Sequence, residues 1–456
     1  MQLIYKVNDK PKFLQLLVFA LQQLLSIMTA TLVVPVIIGN EMSPAAALVG
    51  AGVGTLIYVT FTKKKSPVFL GSSFAFIGSM FAAFAGGVSM SLGYLGLVMG
   101  AFFAGMVYVI IAVIVKFVGV EWINKLMPAA VIGPTVAIIG LSLAGNAVGD
   151  VLKFAEHNGS AYVMTTKGWI GFVCALATLS TIILCSTYGK KWGRLIPFIF
   201  GIMAGYAVSA VFTIIGCATG NDALKILDVA PFVNLLTDGA VTVKTFLSVP
   251  DFTFLKAFGA FGELNATYVG TIAVAYIPVA FVVFAEHLAD HKNISSIIEH
   301  DLLKEPGLHR TLLGDGVGSM FGALFGGCPN TTYGESVGCV AITRNASVYT
   351  IITAAVMAII IAFISPFIAF VNSIPSCIMG GVCMALYGFI AVSGLKMVQS
   401  VNLNLNKNLF VVSTILIAGI GGLTLNLGKI TITSVACALI LGIIVNIVVS
   451  KAPDQE

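Results

Sequence analysis

The chain has 456 residues, of which 58% are hydrophobic and 9% charged, with 24 Lys and Arg against 19 Asp and Glu. A soluble protein carries about 25% charged residues, so a chain with a mean hydropathy of +1.02 cannot cover a water-facing surface. Soluble enzyme, nucleic-acid-binding protein and disordered scaffold are excluded, and the net charge of +5 matters only through where the charges fall.

A spanning helix needs roughly 20 apolar residues, and apolar runs recur along the whole chain. Fourteen membrane segments are predicted, the first seven near 13–34, 44–61, 67–86, 91–115, 128–148, 168–186 and 195–217. The first span is too long for a signal-peptide core and has no A-x-A site, so it is retained. The loop 218–265, with Asp222, Asp228, Asp238 and Asp251, reads as a solvated linker with one short amphipathic helix. The last seven segments lie near 266–289, 309–327, 333–345, 348–371, 375–398, 408–424 and 431–450. Two segments are broken. The third begins Gly71-Ser72-Ser73-Phe74-Ala75-Phe76, and the tenth begins around Pro329-Asn330-Thr331-Thr332-Tyr333-Gly334-Glu335.

Charge placement supports the count. With both termini cytoplasmic, 18 Lys and Arg fall inside, among them Lys63, Lys64, Lys65, Lys190, Lys191, Arg194 and Lys451. Six fall outside: Lys153, Lys167, Lys225, Lys244, Lys256 and Lys429. This is the positive-inside bias. The first and eighth segments, and the broken third and tenth, share an offset of roughly 250 to 260 residues, and seven spans per repeat invert the second copy. The expected fold is therefore an all-α polytopic membrane protein. Its 14 segments form two inverted seven-segment repeats, with short unwound or β stretches in segments 3 and 10. Lipid cannot satisfy that unwound backbone, so the two breaks are expected to pair with each other or line a cavity.

Few ionisable residues lie within the spans. Glu286 ends an apolar run, Glu335 lies at the tenth-segment break, and Asp315 sits between Gly314 and Gly316. A mid-membrane carboxylate costs roughly 2.5–3.5 kcal/mol, which points to function. Glu286 can also be interfacial, since Asp290, His291 and Lys292 follow it, and Asp315 reads equally as a buried structural hydrogen bond. An ionised carboxylate accepts N–H bonds and a protonated one donates to a carbonyl. The pair therefore suits a small planar ligand with alternating N–H and C=O edges, and a proton as coupling ion. No Lys or Arg lies mid-membrane near either break, which argues for a neutral ligand. Phe74 offers a stacking face, and Tyr333 is similarly placed. Gln22 and Gln23 in the first span read as helix–helix bonding groups. Eight cysteines without a C-x-x-C pair read as buried hydrophobes. With neither a Walker A sequence nor a metal spacing, no cofactor is expected.

These residues carry a resemblance. Ala285-Glu286-His287, Asn330-Thr331-Thr332-Tyr333-Gly334-Glu335 and the run through Gly338 to Thr343-Arg344 resemble the nucleobase–ascorbate transporter (nucleobase:cation symporter-2) family, in its bacterial uracil permease branch. Gly71 to Phe76, Pro306 to Arg310 and Met379 to Val382 are similar to further family stretches, and the likeness covers essentially the whole chain. The resemblance implies a core domain from 1–120 (segments 1–4) and 266–371 (segments 8–11). It implies a gate domain from 121–218 (segments 5–7) and 372–456 (segments 12–14 and the tail), with 219–265 as an extracellular linker. Glu286 and Glu335 would bind the uracil edge, the backbones of Phe74 and Gly334 would add hydrogen bonds, and Ala30 and Tyr333 would line the pocket. The implied activity is proton-coupled uracil import across the bacterial cytoplasmic membrane by an elevator-like shift of core against gate, in a chain that can pair as a homodimer. Candidates for proton coupling are Glu286, Asp290, His291 and Asp315. There are two departures: Ser336 stands where the signature usually has Asn, and Asp290 stands where some members have His. A purine or xanthine permease of the same fold is the nearest rival. An anion transporter fits two site carboxylates poorly, and a channel or intramembrane enzyme would need a pore or a catalytic constellation that the sequence does not display.

Overall fold

The computed structural model describes residues 3–119, 121–159, 161–190, 192–236, 240–427 and 430–450. Of the residues named above, Lys191, Asp238, Lys429 and Lys451 lie outside these. The described chain is an all-α polytopic membrane protein, with eight helices long and apolar enough to cross a bilayer. In chain order come α1 (Phe13–Ile38), α2 (Pro44–Phe61), the strand β1 (Leu70–Ser72), a 3-10 turn (Phe74–Phe76), α3 (Ile77–Ala83), α4 (Met90–Val118), α5 (Ala129–Ser142) and α6 (Ala144–Val151). Next are α7 (Thr166–Tyr188), α8 (Pro197–Thr219), α9 (Ala266–Ile298), α10 (Leu308–Gly326), the strand β2 (Asn330–Thr332) and α11 (Gly334–Thr343). The chain ends with α12 (Val348–Ile361), α13 (Ser376–Gln399), α14 (Asn406–Ile420) and α15 (Ser434–Val449). Helix starts follow local chemistry: Ser43, Ser89 and Asn265 cap α2, α4 and α9 by accepting an N–H three residues on.

Two compact units are present, Met1–Ser142 with Pro250–Ile360 and Ile390–Glu456, and Leu143–Val249 with Ile361–Phe389. In the second, α8 lies against α7 so closely that a Cβ on Gly201 would come 2.4 Å from Ile182 Cγ1. The stretch 218–265 holds more than the one short helix expected: its described residues form five short helical turns between Asp222 and Glu263. Polar side chains hold these turns, Asn221 as the cap of the first, Asp228 just before the second, and Thr213 from α8. Asn221 and Asp228 accept from the N–H groups of Ala223 and Ala230 at 3.0 and 2.9 Å. Thr213 accepts from Ile226 and Leu227, both at 3.1 Å.

The first unit is organised around α2 and α10. A Cβ on Gly50 would lie 2.3 Å from the Gly322 carbonyl oxygen, and one on Gly326 would lie 2.4 Å from Ala47 Cα. Small residues let the two backbones touch, the packing that membrane helices use when lipid removes the hydrophobic drive between them. Asn330 Nδ2 donates to Gly50 O at 3.0 Å through this seam and so fastens β2 to it.

β1 and β2 are the two breaks, and they pair antiparallel, with Leu70 opposite Thr332, Gly71 opposite Thr331 and Ser72 opposite Asn330. Ser73 N–H to Pro329 O (2.9 Å) and Tyr333 N–H to Phe69 O (3.3 Å) extend the ladder. Thr55 accepts from Leu70 N–H at 2.9 Å, and Ser319 accepts from Asn330 N–H at 3.0 Å. The unwound backbone is thus satisfied by protein, as a hydrocarbon surround demands. Gly322→Val tests the seam: its Cβ would meet Asn330 Nδ2 at 2.1 Å. We expect a loss of about 3 kcal/mol or more, read as a lower thermal midpoint of detergent-purified protein, while Gly78→Ala, whose Cβ meets no atom within 4 Å, stays near wild type.

Candidate functional site

The ladder brings two helix starts together. Phe74 opens the 3-10 turn after β1, and Gly334 opens α11 directly after β2. No residue at the N-cap position caps α11, and the N–H of its first residue, Gly334, has no intrahelical acceptor. Gly334 is exposed, and a Cβ built on it would meet one atom within 4 Å, Asp290 Oδ1 at 3.7 Å. Gly334 therefore does not serve helix packing; its open face looks toward Asp290. Glu335 is half-buried in the first turn of α11. Tyr333, buried, donates its hydroxyl to Ser72 O at 2.6 Å and so clasps the opposite strand. Ala30 is buried on α1.

α9 supplies two faces. Glu286 and Asp290 are four residues apart and share one face, as helical geometry requires. Both are half-buried. Asp290 Oδ2 accepts from Thr332 Oγ1 of β2 at 2.9 Å, which ties this face to the ladder. The carboxylates of Glu286, Asp290 and Glu335 lie within Coulombic reach of one another, and Asp315 is within reach of the first two. Among the described residues none of them forms an ion pair with Lys or Arg.

His287 and His291 occupy the adjacent face, both fully buried and stacked with centroids 4.0 Å apart. His291 Nδ1 faces the His287 carbonyl at 2.8 Å, so that nitrogen carries the proton. Its Nε2 then accepts from the Tyr58 hydroxyl at 2.6 Å, and Ser66 donates to Tyr58 at 2.7 Å. His287 Nε2 lies 3.0 Å from Thr311 Oγ1, whose own proton goes to Leu308 O. Nε2 is therefore a donor. Nδ1, 2.7 Å from Asp315 Oδ2, shares one further proton with that carboxyl. As a unit the pair is neutral, which suits its burial. Asp315, one of the two ambiguous carboxylates, is thus buried and held by a histidine, whereas Glu286 is half-buried and has no such partner among the described residues.

Sequence reading did not single out Tyr58 or Thr311 and named Thr332 only within the tenth-segment break, because their types carry no signal without their partners. Gln23 bonds a neighbouring helix as expected. Its partner is Ser336, at 2.5 Å.

A helical membrane chain whose two broken segments meet beside unpaired carboxylates has the anatomy of a carrier. Residues 14–428 match the model of the Permease family. The chain is 36% identical over 455 residues to a uracil permease of Bacillus subtilis (strain 168), covering 99% of this chain and 96% of that protein. It is 33% identical over 439 residues to a uracil permease of Escherichia coli (strain K12), covering 96% and 92%. In fold it is similar to the transmembrane domain of a cyanobacterium bicarbonate transporter, BicA, with a TM-score of 0.60 at 13% identity, covering 97% of this chain and 100% of that one. The chain belongs to the Permease family, in keeping with the resemblance carried by its motifs, and is a transporter rather than an enzyme.

Asp315→Ala removes the partner of a buried histidine. We expect it to destabilise the ligand-free protein by about 3–5 kcal/mol, whereas Glu286→Gln, which breaks no ion pair, changes the thermal midpoint little; scanning unfolding of the two purified variants checks the contrast.

Proposed function

We propose that the protein is a proton-coupled secondary active transporter that imports uracil across the bacterial cytoplasmic membrane. The observation that carries this reading is the set of half-buried carboxylates, Glu286 and Glu335, which have no cationic partner among the described residues, beside the start of α11. A uracil ring would give its N–H groups to Glu286 and Glu335 and accept from backbone N–H groups at Phe74 and Gly334, with the Phe74 ring against its face. Ala30 and Tyr333 would complete the lining. Similarity to uracil permeases along nearly the full length of both chains supports the choice of nucleobase.

A neutral base gains nothing from the membrane potential, so accumulation needs a coupled ion. Protonation of Glu286 or Asp290 outside would favour the loaded site, and deprotonation inside would release the ligand. Of the other candidates, His291 has both ring nitrogens bonded and Asp315 is held by His287, which favours the Glu286–Asp290 face as the place where the proton is exchanged. We read the chain as 14 segments in two inverted repeats with both termini cytoplasmic. Its core (1–120 and 266–371) would move against a gate (121–218 and 372–456) in an elevator-like cycle, with a homodimer as the assembly.

Labelled-uracil uptake into permease-deficient cells tests the reading. Glu286→Gln should be inserted and folded yet accumulate almost nothing. Wild-type uptake should rise as external pH falls, collapse with a protonophore and ignore sodium; dependence on sodium instead would remove the proton claim. Competition by xanthine at uracil-like concentrations would move the assignment to a purine permease.

Gly334→Val separates a site from a packing role. Because its Cβ has room against the protein, the variant should fold with a near-normal midpoint, yet its bulk would stand where the ligand approaches. Calorimetry on purified protein should show uracil binding lost per folded molecule, and unchanged affinity would take Gly334 out of the site.

A further inference from the structure

Ser336 is fully buried in the first turn of α11, one residue after Glu335. Its hydroxyl oxygen accepts from Gln23 Nε2 of α1 at 2.5 Å and from the backbone N–H of Phe69 at 2.9 Å. Phe69 immediately precedes β1, and its carbonyl accepts from Tyr333 N–H at 3.3 Å. Both backbone groups of Phe69 are therefore held by the Tyr333–Ser336 turn. α1 adds a second hold, since Ser26 Oγ donates to the Glu335 carbonyl at 3.2 Å. Gln23 is itself 2% exposed, so losing its partner would leave a buried amide unpaired.

From this geometry we propose that Gln23 and Ser336 form a positioning pair for substrate binding: Ser336 joins both broken segments to α1 and thereby sets where the Glu335 carboxylate and the Gly334 N–H stand. The pair touches no ligand itself. The loss of an Asn at position 336 is thus not a loss of organisation, because the hydroxyl accepts from a side-chain amide supplied by α1. The proposal rests on the reading above that Glu335 and Gly334 hold the ligand.

The test is a double-mutant cycle on full-length protein in detergent, with uracil affinity measured per folded molecule by calorimetry and uptake measured in cells. Ser336→Ala and Gln23→Met should each raise the uracil Kd about tenfold, with KM rising in step and the maximal rate little changed. The double variant should bind no worse than Ser336→Ala alone, since each member acts through the other. Folded variants that bind like wild type, or effects that multiply, would overturn the proposal and leave the pair a packing contact. If wild-type protein fails to bind uracil, the transport reading falls instead, and the pair is judged without a nucleobase. Gly334→Cys is labelled with a small maleimide and quantified by peptide mapping, with and without Ser336→Ala. A labelling rate altered about tenfold would support the positioning role, and an unchanged rate would refute it.

Discussion

The constraint on which the rest depends is that backbone unwound inside a membrane must find its hydrogen bonds in protein. β1 and β2 meet it by pairing with each other. Such a short ladder cannot stand alone, so it is held from outside by Thr55, Ser319, Ser336 and the Asn330 amide. The Asn330 bond in turn requires α2 and α10 to approach until backbone meets backbone, which is why their facing positions are glycines. The glycine seam, the ladder and the two helix starts are one mechanical unit, and the exposed start of α11 at Gly334 is its by-product.

α9 sorts charge around that unit by simple periodicity. Residues 286 and 290 fall on one face, and 287 and 291 on the next. The histidine face is closed by Asp315, Thr311 and Tyr58, each nitrogen with a defined partner. The carboxylate face has a single bond to the ladder, through Thr332. The histidine face, with every ring nitrogen bonded, is suited to rigidity, and on the proposed reading the sparsely bonded acidic face would exchange protons or accept a ligand's donors. Placing both on one helix would allow protonation on one side without dismantling the packing on the other.

Much of this was legible in the sequence. The two breaks announced themselves because Gly71-Ser72-Ser73 and Pro329-Asn330-Thr331 cannot continue apolar helices, and Glu286 and Glu335 stood out because charge in a span is costly. Backbone satisfaction left two outcomes for the breaks, pairing with each other or lining a cavity, and the fold shows the pairing. What stayed hidden were bonds between residues far apart in the chain, such as Gln23 with Ser336 and Tyr58 with His291. Ser336 shows why. Against a signature with Asn it read as a missing amide, and only the fold places a glutamine amide beside its hydroxyl. The helical content of residues 218–265 was under-read for a related reason: an Asp or Asn that solvates a loop and one that holds a turn have the same letter.

Fold alone assigns no cargo. BicA, similar in fold, is a bicarbonate transporter, and a helix start inside a membrane is by itself a site that favours anions. In this chain Glu335 occupies the first turn of α11, and Glu286 and Asp290 lie within Coulombic reach of it. When ionised, these groups would offset the positive end of the half-helix and leave its N–H donors in place. On the proposed reading, the same backbone arrangement would thereby be turned from a trap for anions into a surface of paired donors and acceptors. An anion would meet a carboxylate with no cation to balance it. A neutral ring with N–H and C=O groups on one edge would meet both kinds of partner at once, and the discrimination would come from the side chains set around a common fold.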